Sequence, residues 1–119
     1  MPDAALGIRI DRHRAALALL LRQRIAVNLR LTYPDLRALW VADYDGVHVA
    51  RALGKGRTIL WDRDRNRDEA FHGRARTEAG TWWLTDDLLL LVACLPVDTP
   101  RAKDGYVIVR LPDAEADDA

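Results

Sequence analysis

A single cysteine, Cys94, rules out any disulfide within the chain and favours a reducing compartment. Net charge is missing too: basic and acidic side chains balance at neutral pH, so nothing in the composition demands nucleic acid or an anionic membrane surface, and neither is expected as a partner. Long apolar runs are absent. The longest, Ala15 to Leu21 and Leu88 to Pro96, reach about half the length of a membrane-spanning helix. Charged residues interrupt every apolar stretch near the N-terminus, which excludes a secretory signal pattern and leaves a cytoplasmic protein as the expectation. Lysine is scarce as well. Only Lys55 and Lys103 occur, every other basic residue being arginine, so arginine content alone says little about function.

What is present suits one domain of 119 residues, half of them hydrophobic, able to build a core without a metal or a cross-link. The charge is unevenly spread. Arg9, Arg12, Arg14, Arg22, Arg24 and Arg30 face a single acid, Asp11, whereas Asp113, Glu115, Asp117 and Asp118 crowd the end. Residues 1–111 are expected to form a single α+β domain, with 112–119 as a disordered acidic tail.

Periodicity assigns the elements. Leu17, Leu21, Ile25 and Leu29 recur every four residues, with Leu20, Val27 and Leu31 widening the stripe, and this predicts a helix over Arg12 to Leu31 that Pro34 terminates. Leu6 to Ile10 alternate, as a short strand or a fraying helix start would. Because Ala15 to Leu21 is apolar all round, the helix needs cover on more than one side, from a sheet and loops or from a second copy of itself. Asp45-Gly46 between Leu39–Tyr44 and Val47–Ala52 predicts a two-residue type I′ hairpin that sets Trp40 against Arg51, Ala42 against Val49 and Asp43 against His48. Thr58 to Trp61, Phe71 to Thr77, the segment around Trp82 and Trp83, Leu88 to Leu95 and Tyr106 to Leu111 read as further strands. Leu88 to Leu95 is apolar throughout, like a central strand covered on both faces; a short buried helix is the other reading. The expected architecture is one long N-terminal amphipathic helix on a five- or six-stranded antiparallel sheet.

Motifs for chemistry are few. Asp62, Asp64, Asn66 and Asp68 alternate like the opening of a calcium loop, but Arg67 stands where the turn glycine belongs and Gly73 where the glutamate belongs, so a solvated or self-paired charged loop is the reading. His13, His48 and His72 are too scattered for a zinc set, Cys94 lies among apolar neighbours, and Gly54 to Thr58 lacks phosphate-loop spacing. No cofactor or metal is expected. Trp40, Trp61, Trp82 and Trp83 are many for a chain this short. Adjacent Trp82 and Trp83 point to opposite faces of a strand, so one of them needs a partner or serves as a binding anchor.

The stretch Leu39 to Ala50, with its Asp-x-Asp-Gly turn at 43 to 46, follows an N-terminal helix and precedes a strand-rich segment, Arg74 to Leu111. In this pattern the chain resembles the PAS, Cache and roadblock group of small modules. The resemblance implies a homodimeric sensory or scaffolding module without catalysis. The sequence therefore points to a non-catalytic regulatory or adaptor module acting by protein–protein binding as a homodimer, with Trp40, Trp82, Trp83 and Arg24 as contact groups. Three alternatives stand beside it: a small-ligand sensor with a pocket between helix and sheet, lined by Trp40, Tyr44 and Leu88 to Leu95; a toxin-neutralising immunity protein; and a minor hydrolase or nuclease using Asp43, His48 and His72.

Overall fold

The computed structural model describes residues 3–113. The first helix, α1, spans Asp3–Leu29. It begins earlier than the stripe predicts, because Leu6 to Ile10 continue the helix instead of forming a strand. Asp3 in its first turn complements the helix dipole. At the far end Thr32 and Tyr33 N–H groups donate to the Leu29 carbonyl at 3.1 and 2.8 Å, closing the helix just before Pro34.

Four strands form an antiparallel sheet in the order β3-β2-β1-β6: β1 is Ala38–Ala42, β2 His48–Leu53, β3 Ile59–Asp62 and β6 Val107–Arg110. A separate two-stranded hairpin pairs β4, Arg74–Thr77, with β5, Gly80–Trp83. The expected five- or six-stranded sheet is thus divided into four strands and two. The division arises because Leu88 to Leu95 is not a strand. Helix α2 spans Leu84–Cys94 and buries Leu84, Asp87, Leu88 and Leu91, a spacing of three, one and three residues, while Leu89 and Leu90 face solvent. Asp86 and Asp87 stand in its first turn, where the dipole favours them.

The hairpin departs from expectation in register. Asp45 and Gly46 both have positive φ, as the turn chemistry requires, and Trp40 does oppose Arg51. A bulge between Trp40 and Val41 then shifts the pairing, so Val41 meets Val49 and Ala42 meets His48. The connection is consequently longer than two residues, and Asp43 lies beyond the ladder instead of opposite His48.

Both helices lie on one side of the sheet. Leu21, Ile25 and Leu29 of α1 and Leu84, Leu88 and Leu91 of α2 close over Leu39, Val41, Val49, Val107 and Val109. Trp61 joins this core and donates its indole N–H to the Glu69 carbonyl at 2.8 Å. Phe71 stacks on Tyr33, with ring centroids 5.0 Å apart, and leans on Trp61, so the charged connection between β3 and β4 is pinned by aromatic contacts at its end.

At the start of that connection Asp62 is buried. Its carboxylate accepts Arg51 Nε at 2.7 Å and the N–H groups of Asp64 and Arg65 at 2.9 and 3.2 Å, while its own N–H donates to Asn66 Oδ1. The alternating acids therefore form a self-paired loop. Of the acidic tail, Asp113 accepts from Arg37 at 2.9 Å, and residues 114–119 lie outside the described residues.

Burial pushes the Asp62 carboxyl up, but hydrogen bonds from Arg51, Asp64 and Arg65 outweigh it and hold the group below its ordinary range. A depressed native pKa contributes stability above the unfolded value, about 3.9, that is lost as pH falls through the native value. Asp62→Asn is expected to lower unfolding stability by about 2 kcal/mol at pH 7, from the lost charge-assisted bonds. It should also flatten the fall in stability below about pH 4. Urea denaturation across pH checks both effects.

A carboxylate node beside an exposed helical seam

Two of the sequence-predicted contact residues meet at Asp87. Helix α2 turns this side chain inward at its first turn, and β5 delivers Trp82 next to it. Arg24 of α1 donates Nε to Oδ2 at 2.7 Å and Nη2 to Oδ1 at 2.6 Å, a bidentate pair, and Trp82 Nε1 donates to Oδ2 at 2.9 Å. The carboxylate is buried, whereas the Arg24 side chain is 58% exposed. Hydrogen bonding and charge from Asp87 together raise the Arg24 pKa above its ordinary value. The node clamps α1, α2 and β5 together.

Beside the node runs an open groove of about 790 Å³. Leu20, Arg24 and Val27 of α1 form one wall; Thr77, Ala79, Thr81 and Trp82 of the β4–β5 hairpin form the other. The α1 wall continues past the groove. Leu6, Ile10, His13, Leu17, Leu20, Arg24 and Val27 follow one another at alternating steps of four and three residues, the heptad spacing of a coiled-coil seam, and Leu31 takes the next step in the turn beyond the helix. All eight are exposed, Leu20 by 61% and Leu31 by 69%. The stripe that packs on the core, Ala18, Leu21, Ile25, Ala26 and Leu29, lies on a neighbouring face. Between Leu6 and Leu17 every residue is exposed, so the first half of the helix, which is about 40 Å long in all, stands clear of the body.

The remaining predicted contact residues lie elsewhere. Trp83 points away from Trp82, as expected; it is 48% exposed and sits beneath Arg74, with the guanidinium 5.9 Å from the ring centre. Trp40 occupies the sheet face opposite the helices, under Arg51 at 4.6 Å. There it lines a hollow of about 500 Å³ with Arg37, Arg57 and Arg110. The pocket expected from Trp40, Tyr44 and Leu88 to Leu95 does not form. Tyr44 is exposed in the hairpin loop, and Leu88 and Leu91 are inside the core.

Asp43, His48 and His72 are not joined by any hydrogen bond. Asp43 pairs with Arg101 at 2.9 Å, and this partner holds its carboxyl below the usual value. His48 Nε2 lies 2.9 Å from Arg63 Nη1, and the His72 backbone N–H donates to the Tyr33 hydroxyl at 3.2 Å. The constellation required of a hydrolase is therefore not assembled. Among the described residues no group of three or more His, Cys, Asp or Glu side chains is placed to hold a metal ion, and no helix is long and apolar enough to cross a membrane. Cys94 is half-buried at the end of α2, not in a central strand. Neither Asp87 nor the heptad seam is among the residues that the sequence singles out. Asp87 stands beside Asp86 at the start of an apolar run, and the seven-residue repeat opens at Leu6, ahead of the stripe that predicts the helix.

No family model matches the chain, nor does any curated protein or solved structure.

Asp87→Ala is expected to destabilise the fold by about 2 kcal/mol, since it leaves the indole N–H and the guanidinium without their acceptor. A matching change in tryptophan emission should report the freed Trp82 ring, and thermal melting followed by fluorescence reads both.

Proposed function

We propose that this chain is a non-catalytic protein-binding module that works as a homodimer, with the exposed seam of α1 as its contact surface. The observation that carries this reading is the heptad stripe of α1 from Leu6 to Val27. A helix standing clear of its own body, with solvent-facing leucines, isoleucine and valine in coiled-coil spacing, exposes more contiguous apolar surface than a monomer ordinarily tolerates. Helices in proteins gain most of their stability from packing, so the exposed apolar residues of the first half of α1 call for a second helix. The mixed charge of the chain imposes no general repulsion between copies. Such a module serves regulation or scaffolding: the dimer presents two copies of the same outer surface, including Trp83 and the arginine-lined hollow at Trp40.

Light scattering over a dilution series is expected to give the mass of two chains at high concentration. Replacing Leu17 and Leu20 together by glutamate should yield a monomer at every concentration. Both side chains are exposed, so its melting temperature at low concentration should match that of the monomeric native chain within the small range typical of surface changes. A native chain that stays monomeric throughout contradicts the reading.

A further inference from the structure

We infer that the hollow at Trp40 binds an acidic peptide segment of a partner protein, its arginines taking carboxylates and its apolar floor taking an aromatic or aliphatic side chain. This extends the protein-binding reading above and does not require the dimer.

The hollow lies on the sheet face that neither helix covers. Strand alternation sends Leu39, Val41, Ala52 and Val109 into the core and leaves Ala38, Trp40, Leu53, Ile108 and Arg110 on the other side. Register arranges this outer face in two cross-strand rows, Leu53–Ala38–Arg110 and Arg51–Trp40–Ile108. Ala38 is the small centre of the first row and stands beside a tryptophan in the second. That step in side-chain size opens the hollow, whose volume of about 500 Å³ falls in the range of about 300–1,000 Å³ usual for ligand sites.

Four arginines stand round the floor, and they are not equivalent. Arg51 is bound to Asp62 and lies over Trp40 at 4.6 Å, so it is committed to the fold. Arg37 donates Nη1 to Asp113 Oδ1 at 2.9 Å. Arg57 and Arg110 are exposed, line the hollow and make no ion pair with a described residue. Arg57 is held at a φ of 62°, uncommon outside glycine, asparagine and aspartate, and such strain gathers at ligand clamps.

Asp113 displays the chemistry that the hollow accepts: a carboxylate carried on a peptide, seated on an arginine at the rim close to Leu111. Two further carboxylates satisfy Arg57 and Arg110, and an apolar side chain between them removes Trp40, Leu53 and Ile108 from water. A peptide with acids on both sides of an aromatic residue supplies all three. Nucleic acid is disfavoured, because the chain carries no net charge and Asp113 sets a negative group at the rim. An inorganic anion pairs with the arginines but leaves the apolar floor bare.

The experiment follows the tryptophan indole N–H signals of the full chain by heteronuclear NMR while a capped pentapeptide, Glu-Glu-Phe-Glu-Glu, is added. The expected result is a saturable shift of the Trp40 signal, with that of Trp82, held by Asp87, unmoved. Arg57→Glu combined with Arg110→Glu should weaken binding at least about tenfold, and Ala38→Phe, which fills the hollow and leaves the charge alone, should do the same. Thermal melting shows which variants are folded, and two variants of different kind keep the test decisive where one is not. No saturable shift, an equal shift from the glutamine version of the peptide, or the same shift from inorganic phosphate overturns the proposal. A Trp40 signal that moves on Glu115→Gln, Asp117→Asn and Asp118→Asn, before peptide is added, names the chain's own end as the occupant and overturns a partner. One that moves with protein concentration alone names a second copy instead and also overturns it. Light scattering on the same samples separates the two readings, since peptide binding to a monomer upholds this one and contradicts the dimer.

Discussion

Removing a carboxylate from water costs several kcal/mol unless donors replace its hydration, and at Asp87 three of them do so from two other elements. The consequences spread outward from that requirement. Arg24 fixes the rotation of α1 about its axis, which turns Leu21, Ile25 and Leu29 onto the core and Leu20 and Val27 towards solvent. Trp82 fixes the β4–β5 hairpin beside α1, which creates the groove. Losing Arg24 leaves the buried carboxylate with the Trp82 indole as its one remaining side-chain donor, and losing Asp87 leaves that indole N–H without its acceptor.

Much of the fold was legible where periodicity was clean. The buried α1 stripe of Leu21, Ile25 and Leu29, the positive φ of Asp45 and Gly46, the pairing of Trp40 with Arg51 and the opposed directions of Trp82 and Trp83 all follow from spacing, whereas the two-residue length of the hairpin turn does not hold. Leu88 to Leu95 was misread because an apolar run carries no period of its own. Its period resides in the preceding residues, where Leu84 and Asp87 extend the stripe of Leu88 and Leu91 back by one turn. The bulge after Trp40 left no mark in composition, and with it went the expected meeting of Asp43 with His48. What decides that meeting is a one-residue slip, which exchanges every partner beyond it.

The candidate site was legible only in part. Arg24 and Trp82 were named from sequence for different reasons, and it is a third residue that brings them together. A pair of aspartates at the start of an apolar segment resembles a break, and only the helical turn of α2 points the second of them at an arginine sixty-three residues earlier in the chain. The seam was obscured for a simpler reason: α1 reaches back to Asp3, and without its first turns the seven-residue repeat is too short to stand out from the wider stripe.

Amide hydrogen exchange of α1 as a function of protein concentration tests most directly whether its free half is covered by a second copy. The account predicts that amides from Leu6 to Leu17 exchange quickly in dilute solution and slow markedly as concentration rises, while those from Leu21 to Leu29 are protected at every concentration by the core. Exchange of the free half at one unchanging rate across the whole range would contradict it.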